Sequence, residues 1–262
     1  MTRVAVIGLG EAGSRYATGL AAAGAEVRGF DPAHRLEHPG VAERATLADA
    51  VADADVVLSL VHARVAIDVA AAALPHMHNG VVYADLNTAA AEVKAAVADV
   101  AARRGVAMAD VGVLAPVPRA GHRTPLIASG TGAAAFAARL APFGVPVDVL
   151  DAPAGEAARL RLLRSAFMKG LAALVMEGLD AARPAGAEAW LRTQMARELG
   201  PDGEALLDRL VTGTARHAAR RADEMAAVVD ALEAAGTPAD MARATLARLE
   251  RTHRAGSEGQ RR

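Results

Sequence analysis

Two stretches near the amino terminus decide the fold: Val4-Ala5-Val6-Ile7-Gly8-Leu9-Gly10-Glu11-Ala12-Gly13, and then Glu26-Val27-Arg28-Gly29-Phe30-Asp31. A short β-branched run, Val4–Ile7, enters a G-x-G-x-x-G turn, and an alanine-rich helical stretch, Gly13–Ala23, opens behind it. In that setting each glycine has its own reason. The first permits the tight turn, the second lets the backbone approach a pyrophosphate, and the third lets helix and strand pack closely while the helix N-terminus faces the phosphates. Asp31 stands 18 residues beyond Gly13, at the end of the second apolar run. A carboxylate there accepts hydrogen bonds from adenosine ribose hydroxyls. Gly8, Leu9, Gly10, Glu11, Ala12, Gly13 and Asp31 are therefore the candidate dinucleotide-binding residues. The negative charge of Asp31 disfavours a 2′-phosphate, so NAD is expected ahead of NADP, with Arg28 and Arg35 keeping NADP possible.

Outward from this turn, short apolar runs alternate with alanine-rich stretches, the rhythm of a parallel sheet with crossover helices. Strands are expected at Val4–Ile7, Glu26–Phe30, Val56–Val61, Val81–Asp85 and Val106–Val111, with Pro125–Ser129 and Val145–Leu150 extending the sheet. Helices are expected at Gly13–Ala23, Thr46–Ala52, Arg64–Leu74, Ala89–Arg104 and Ala133–Leu140. From Glu156 the strand signals stop, leaving Glu156–Arg183, Ala187–Leu199, Gly203–Glu233 with a break near Gly213, and Pro238–Arg251. The expected class is thus an α/β Rossmann domain, doubly wound on a mostly parallel sheet and spanning 1–151, followed by an all-α domain over 152–252. Residues 253–262 read as a flexible tail.

Composition removes several functions. The 262 residues are 53% hydrophobic and 23% charged, which suits a packed core. Basic and acidic residues number 29 and 30, so no global field recruits nucleic acid or an acidic membrane. One Trp, two Tyr and four Phe are too few for a base-stacking platform. The absence of cysteine excludes disulfides, zinc-thiolate sites and cysteine nucleophiles. With no charged-then-apolar leader and no long apolar run, a cytoplasmic location is expected. Only two lysines, Lys94 and Lys169, stand beside 27 arginines, which singles each of them out.

Beyond the glycine turn, Asp85-Leu86-Asn87-Thr88 follows the fourth expected strand, and a long helix opens at Gly155 where the α/β pattern gives way to helices. With these features the chain resembles the β-hydroxyacid dehydrogenase superfamily, which includes 3-hydroxyisobutyrate and 6-phosphogluconate dehydrogenases. Ala115-Pro116-Val117-Pro118, Thr124-Pro125-Leu126, Ser165 to Gly170 and His217 to Met225 are similar to a branch with an uncharacterised helical C-terminal domain. The resemblance puts Asn87 and Thr88 beside the nicotinamide and substrate; Thr88 also reads as the N-cap of Ala89–Arg104. Leu60, Val61 and His62 end the third expected strand, where a Rossmann fold sets backbone against the adenine-ribose half of the cofactor.

The superfamily's catalytic lysine lies six residues after the helix-opening glycine; counted from Gly155, that position is Arg161. The asparagine four residues on is Ser165, and the glycine-rich substrate loop reads Gly112-Val113-Leu114-Ala115-Pro116. Arginine stays protonated and makes a poor general acid or base. Arg161, Ser165 and Lys169 fall at i, i+4 and i+8, along one stripe that drifts about 40° per step. On this reading Arg161 clamps a substrate carboxylate or phosphate and Lys169 supplies the proton; the alternative is a solvated face with Lys169 at the surface. His217, Arg221 and Glu224 form a second stripe, in which Arg221 pairs with Glu224 and His217 is a candidate proton donor. His76-Met77-His78 lacks a third ligand, so no metal is expected, and His122 lies in a loop suited to an anion or to solvent.

With the glycine turn and Asp31, the resemblance implies an NAD(P)-dependent oxidoreductase, expected to act on a small, anionic hydroxy or keto substrate. The alternatives are an imine reductase-like enzyme and a dinucleotide-binding protein that has lost turnover with the lysine. Alanine-rich helices with few ways to bury their apolar faces predict a homodimer packed through the C-terminal domain.

Overall fold

The computed structural model describes residues 2–259, with side chains described to residue 256. The first compact unit ends at Arg161 and the second begins at Leu162. The first is built on eight strands: β1 (Arg3–Ile7), β2 (Glu26–Phe30), β3 (Val41–Glu43), β4 (Val56–Ser59), β5 (Val82–Asp85), β6 (Ala107–Val113), β7 (Leu126–Ser129) and β8 (Val147–Val149). Their order is β3-β2-β1-β4-β5-β6-β7-β8. Every pairing is parallel except β6 with β7. The order reverses between β1 and β4, and in a doubly wound sheet ligands bind beyond the strand ends at such a switch point.

Helices α1 (Glu11–Ala22) and α6 (Ala133–Leu140) cover one face, burying Tyr16, Leu20, Phe136 and Leu140 against Val4, Val6, Leu58 and Val111. Helices α2 (Leu47–Val51), α3 (Ala66–Ala73) and α4 (Ala91–Ala102) cover the other, over Ala5, Ile7, Val57, Tyr83 and Met108. Each large apolar side chain buried in this way contributes about 1.5–3 kcal/mol. A short α5 (Val117–Ala120) precedes β7.

Seven of the eight strands lie where the alternation predicts them. β3 was not anticipated: it has three residues, of which only Val41 is buried, too short to show a period. β4 stops at Ser59 rather than Val61 because the Val61 N–H turns to the side chain of Asn87, leaving the ladder.

Helix α7 (Glu156–Ala182) starts in the first unit and continues into the second. The division falls at Arg161, inside the helix, and not at Asp151. The reason is local: the backbone N–H groups of Gly155 and Ala158 donate to Asp110 Oδ2 at 2.9 and 3.1 Å, and that of Ala157 donates to Ser129 Oγ at 3.1 Å. Strand residues thus cap the opening turn of α7 and hold it to the sheet.

The second unit contains the rest of α7 with α8 (Glu188–Glu198), α9 (Gly203–Arg216), α10 (Ala218–Ala234) and α11 (Asp240–Gly259). Ala172, Val175 and Leu179 of α7 pack with Leu207 and Leu210 of α9. Leu162 and Ala166 pack with Met225, Val228 and Leu249 of α10 and α11. The break expected at Gly213 falls at His217. Gly213 stays helical, and its missing side chain leaves room for Arg221, whose Nη2 lies 3.1 Å from where a Cβ would sit. α11 runs past Arg251 to Gly259, since Glu250, Arg251, Arg254 and Ala255 are good helix formers. Of the tail expected over 253–262, residues 260–262 lie outside the described residues. No helix among the described residues is long and apolar enough to cross a membrane.

Candidate functional site

Gly8, between β1 and α1, has φ +90°, and a Cβ on it would come within 2.4 Å of the Leu60 carbonyl oxygen. A Cβ on Gly13 would stand 1.8 Å from the Gly8 oxygen, so only glycine lets helix and turn pack this closely. Gly10 is different: nothing lies within 4 Å of its Cβ position, and no side chain caps the helix that starts after it. The first N–H groups of α1, at Glu11, Ala12 and Gly13, lack intrahelical partners by construction. An open cradle at an uncapped helix start is what a dinucleotide pyrophosphate fits.

Asp31 ties this turn to β2. Its Oδ2 accepts from the Leu9 N–H at 2.8 Å, and its Oδ1 from the N–H groups of Ala33 and His34 at 2.8 and 3.0 Å. Desolvation pushes the carboxyl up, but these backbone hydrogen bonds and the His34 side chain outweigh it and hold Asp31 below the usual carboxylate range. Leu9 contributes backbone only, its buried side chain resting on Gly29. On the neighbouring strand, the Leu60 N–H donates to Ile7 and Val61 is held by Asn87, while His62 is exposed at the start of a 3-10 turn.

Asn87 is buried and used structurally. Its Oδ1 accepts from Val61 at 2.6 Å, its Nδ2 donates to Ser59 Oγ at 3.2 Å, and its own N–H donates to Asp85 Oδ1 at 2.8 Å. It joins the ends of β4 and β5. Thr88 does not cap α4, whose N-cap is Ala90 with no side-chain bond. Its exposed Oγ1 instead accepts from Arg161 Nη2 at 3.2 Å. The close approach of Arg161 depends on Gly112, where a Cβ would lie 3.1 Å from the Arg161 Cβ and from the Ala157 oxygen. Arg161 and Thr88, 73 residues apart, thus form one donor–acceptor pair in the first unit.

In the second unit Lys169 is buried, contrary to the reading of a surface lysine. Its Nζ donates to Ser165 Oγ and pairs with Glu224 Oε2 at 2.7 Å. Glu224 also takes Arg220, so the expected Arg221–Glu224 ion pair is replaced. Arg221 turns to Thr214 Oγ1 instead, and burial, with Arg220 beside it, lowers its pKa. His217 is exposed at the junction of α9 and α10, where its carbonyl oxygen accepts from the Arg221 N–H at 3.0 Å.

Lys94, one of the two lysines, sits in no motif that assigns it a role. It is fully buried, with Nζ 2.6 Å from the Asp85 carbonyl oxygen, 3.1 Å from Asp85 Oδ1 and 3.5 Å from Asp110 Oδ1. Ser59, Asp85, Asp110 and Ser129 are register partners across β4, β5, β6 and β7, and all four are fully buried. A polar row therefore crosses the sheet beneath the candidate site, from the end of β4, just before Leu60, to β7, whose Ser129 caps α7. His122 is not a solvated anion site: its ring occupies the space above Gly19 and Nε2 lies 3.1 Å from the Phe143 oxygen. Burial pushes its pKa down. No cluster of three metal-ligating side chains occurs among the described residues.

A doubly wound sheet, a glycine turn tied to a strand-end acid and an open helix start define a dinucleotide-binding protein with a helical C-terminal domain. The chain matches the NAD binding domain of 6-phosphogluconate dehydrogenase over residues 3–143, and it belongs to that family. Residues 182–252 match a domain of unknown function (DUF1932). A conserved hypothetical protein from Sinorhizobium meliloti is similar at 31% identity, over 95% of this chain and 88% of its own, with a TM-score of 0.74. The 3-hydroxyisobutyrate dehydrogenase of Mycobacterium tuberculosis shares the fold at 20% identity, over 96% and 93% of the two chains, with a TM-score of 0.78. An uncharacterised 28.5 kDa protein of Methanothermus fervidus is 34% identical over 86 residues, a stretch that spans 33% of this chain and 34% of that relative.

Proposed function

We propose that the protein is an NAD(P)-dependent oxidoreductase of the β-hydroxyacid dehydrogenase type, acting on a small anionic hydroxy or keto substrate, with NAD preferred. The nicotinamide supplies the hydride. The observation that carries this reading is the open Gly10 cradle bound through the Leu9 N–H to Asp31, within a domain that matches an NAD-binding family. Arg161, held at Thr88, offers a guanidinium to a substrate carboxylate. Lys169, with Ser165 and Glu224, is the proposed proton-handling group, and His217 is second to it.

The test is a fluorescence titration with NADH and NADPH. NADH is expected to bind more tightly, and Asp31→Ala to weaken it by about 10- to 100-fold, the worth of a hydrogen bond to a charged group. Turnover is then sought with hydroxyacids, ketoacids and cyclic imines. Failure to bind either dinucleotide overturns the reading. Binding without turnover favours a non-catalytic dinucleotide-binding protein, for which arginine at the superfamily's lysine position is the supporting observation.

The proposed partner is a second copy of the chain. Leu163, Phe167 and Leu174 are exposed on α7 at i, i+4 and i+11, an apolar strip along one helix face. Light scattering at micromolar concentration is expected to give twice the chain mass, and Phe167→Glu to shift it toward the monomer. A monomeric wild type would defeat this.

A further inference from the structure

Each carboxylate oxygen of Asp31 has two acceptor positions, about four in all. Three are filled by backbone N–H groups, those of Leu9, Ala33 and His34. These donors belong to the glycine turn and to the turn after β2, so they cannot leave without unfolding the loop that forms the site. The fourth is filled by a side chain: Nδ1 of His34 lies 3.3 Å from Oδ2, the oxygen nearest the glycine turn. Asp31 is itself mostly buried, whereas the His34 side chain is 63% exposed and faces water. A ribose hydroxyl that donates to Asp31 therefore has one position to take, and it must displace His34 to take it.

We infer that His34 is a specificity-determining residue that competes with the adenosine ribose for Asp31 and so moderates the preference for NADH over NADPH. This rests on the dinucleotide reading above. The competition acts differently on the two cofactors. NADH carries a 2′-hydroxyl that gains from Asp31 only after His34 has moved. NADPH carries a 2′-phosphate, which has nothing to donate to Asp31 and is repelled by it. A His34 left in place covers part of that charge and reduces the repulsion. Arg35, the next residue along, is engaged by Glu43 at 3.4 Å, and Glu43 also accepts from the Leu36 N–H. The His34 imidazole is thus the side chain that contacts the Asp31 carboxylate among the described residues.

The experiment is a set of NADH and NADPH titrations on wild type, His34→Ala, Asp31→Ala and the double variant. Exposed pairs of this kind are worth up to a few-fold in affinity, so His34→Ala is expected to tighten NADH by about two- to fivefold. NADPH should be unchanged or weaker, so that the selectivity ratio rises. In the Asp31→Ala background, His34→Ala should leave NADH affinity unmoved, because the histidine acts only through the carboxylate. Unchanged or weaker NADH binding in His34→Ala overturns the inference, as does an equal gain for both cofactors. If the wild type binds neither dinucleotide, the underlying reading fails instead, and the two failures are distinct.

Discussion

Lys94→Met is expected to lower the thermal unfolding midpoint of the first unit by roughly 6 to 20 °C. The substitution removes the cation from between two fully buried carboxylates, Asp85 and Asp110, and leaves their charge in the core. Breaking a buried pair from one side costs about 3–5 kcal/mol, and a unit of this size loses about 2–4 °C per kcal/mol. Asp110 keeps partial compensation from the N–H groups at the start of α7. Asp85 has no equivalent: its Oδ2 is already buried without a hydrogen bond, and its Oδ1 would retain only the Asn87 N–H. Adding Asp85→Asn to Lys94→Met should therefore recover part of the loss, since it removes the stranded charge. A midpoint within about 2 °C of wild type for Lys94→Met alone would show that the row is not held by its lysine.

The same row explains what was legible in the sequence. The stretch from Val4 to Asp31 is readable because strand, turn, helix and acid are contiguous, and Gly13 answers to Gly8 within the same motif. Lys94 is not. Its partners lie on β5 and β6, and only the register Asp85↔Asp110 brings them to one point. The other lysine followed the same rule. The i, i+4 spacing predicted Ser165 beside Lys169, which the helix delivers, but Glu224 lies on another helix and no period links it to residue 169. Thr88 precedes a helix and so suggests a cap; its partner Arg161 is 73 residues away, and the superfamily resemblance points to that position without showing the bond. Local chemistry was legible, and contacts set by strand order were not.

Gly13→Ala is expected to abolish measurable NADH binding, a loss of at least about 100-fold, and also to lower the unfolding midpoint. The added methyl would meet the Gly8 carbonyl oxygen at 1.8 Å and its carbon at 2.9 Å, and both are backbone atoms. Gly8 cannot yield, because its N–H donates to Phe30 at 2.9 Å and the next N–H is fixed to Asp31. The start of α1 must move instead, carrying with it the N–H groups that would face the pyrophosphate. Overpacking of this kind costs about 1–3 kcal/mol, sometimes more, so lost binding alone does not separate a distorted site from a weakened fold. Gly10→Ala makes that separation. Its Cβ position has no atom within 4 Å and its φ of −63° suits any residue, so the unfolding midpoint should stay within about 1 °C of wild type. A cofactor running against that backbone would meet the methyl directly, and NADH binding should fall by about tenfold or more. Wild-type affinity in Gly10→Ala would mean that the pyrophosphate does not pass there, and the turn would then be a packing device rather than a binding site.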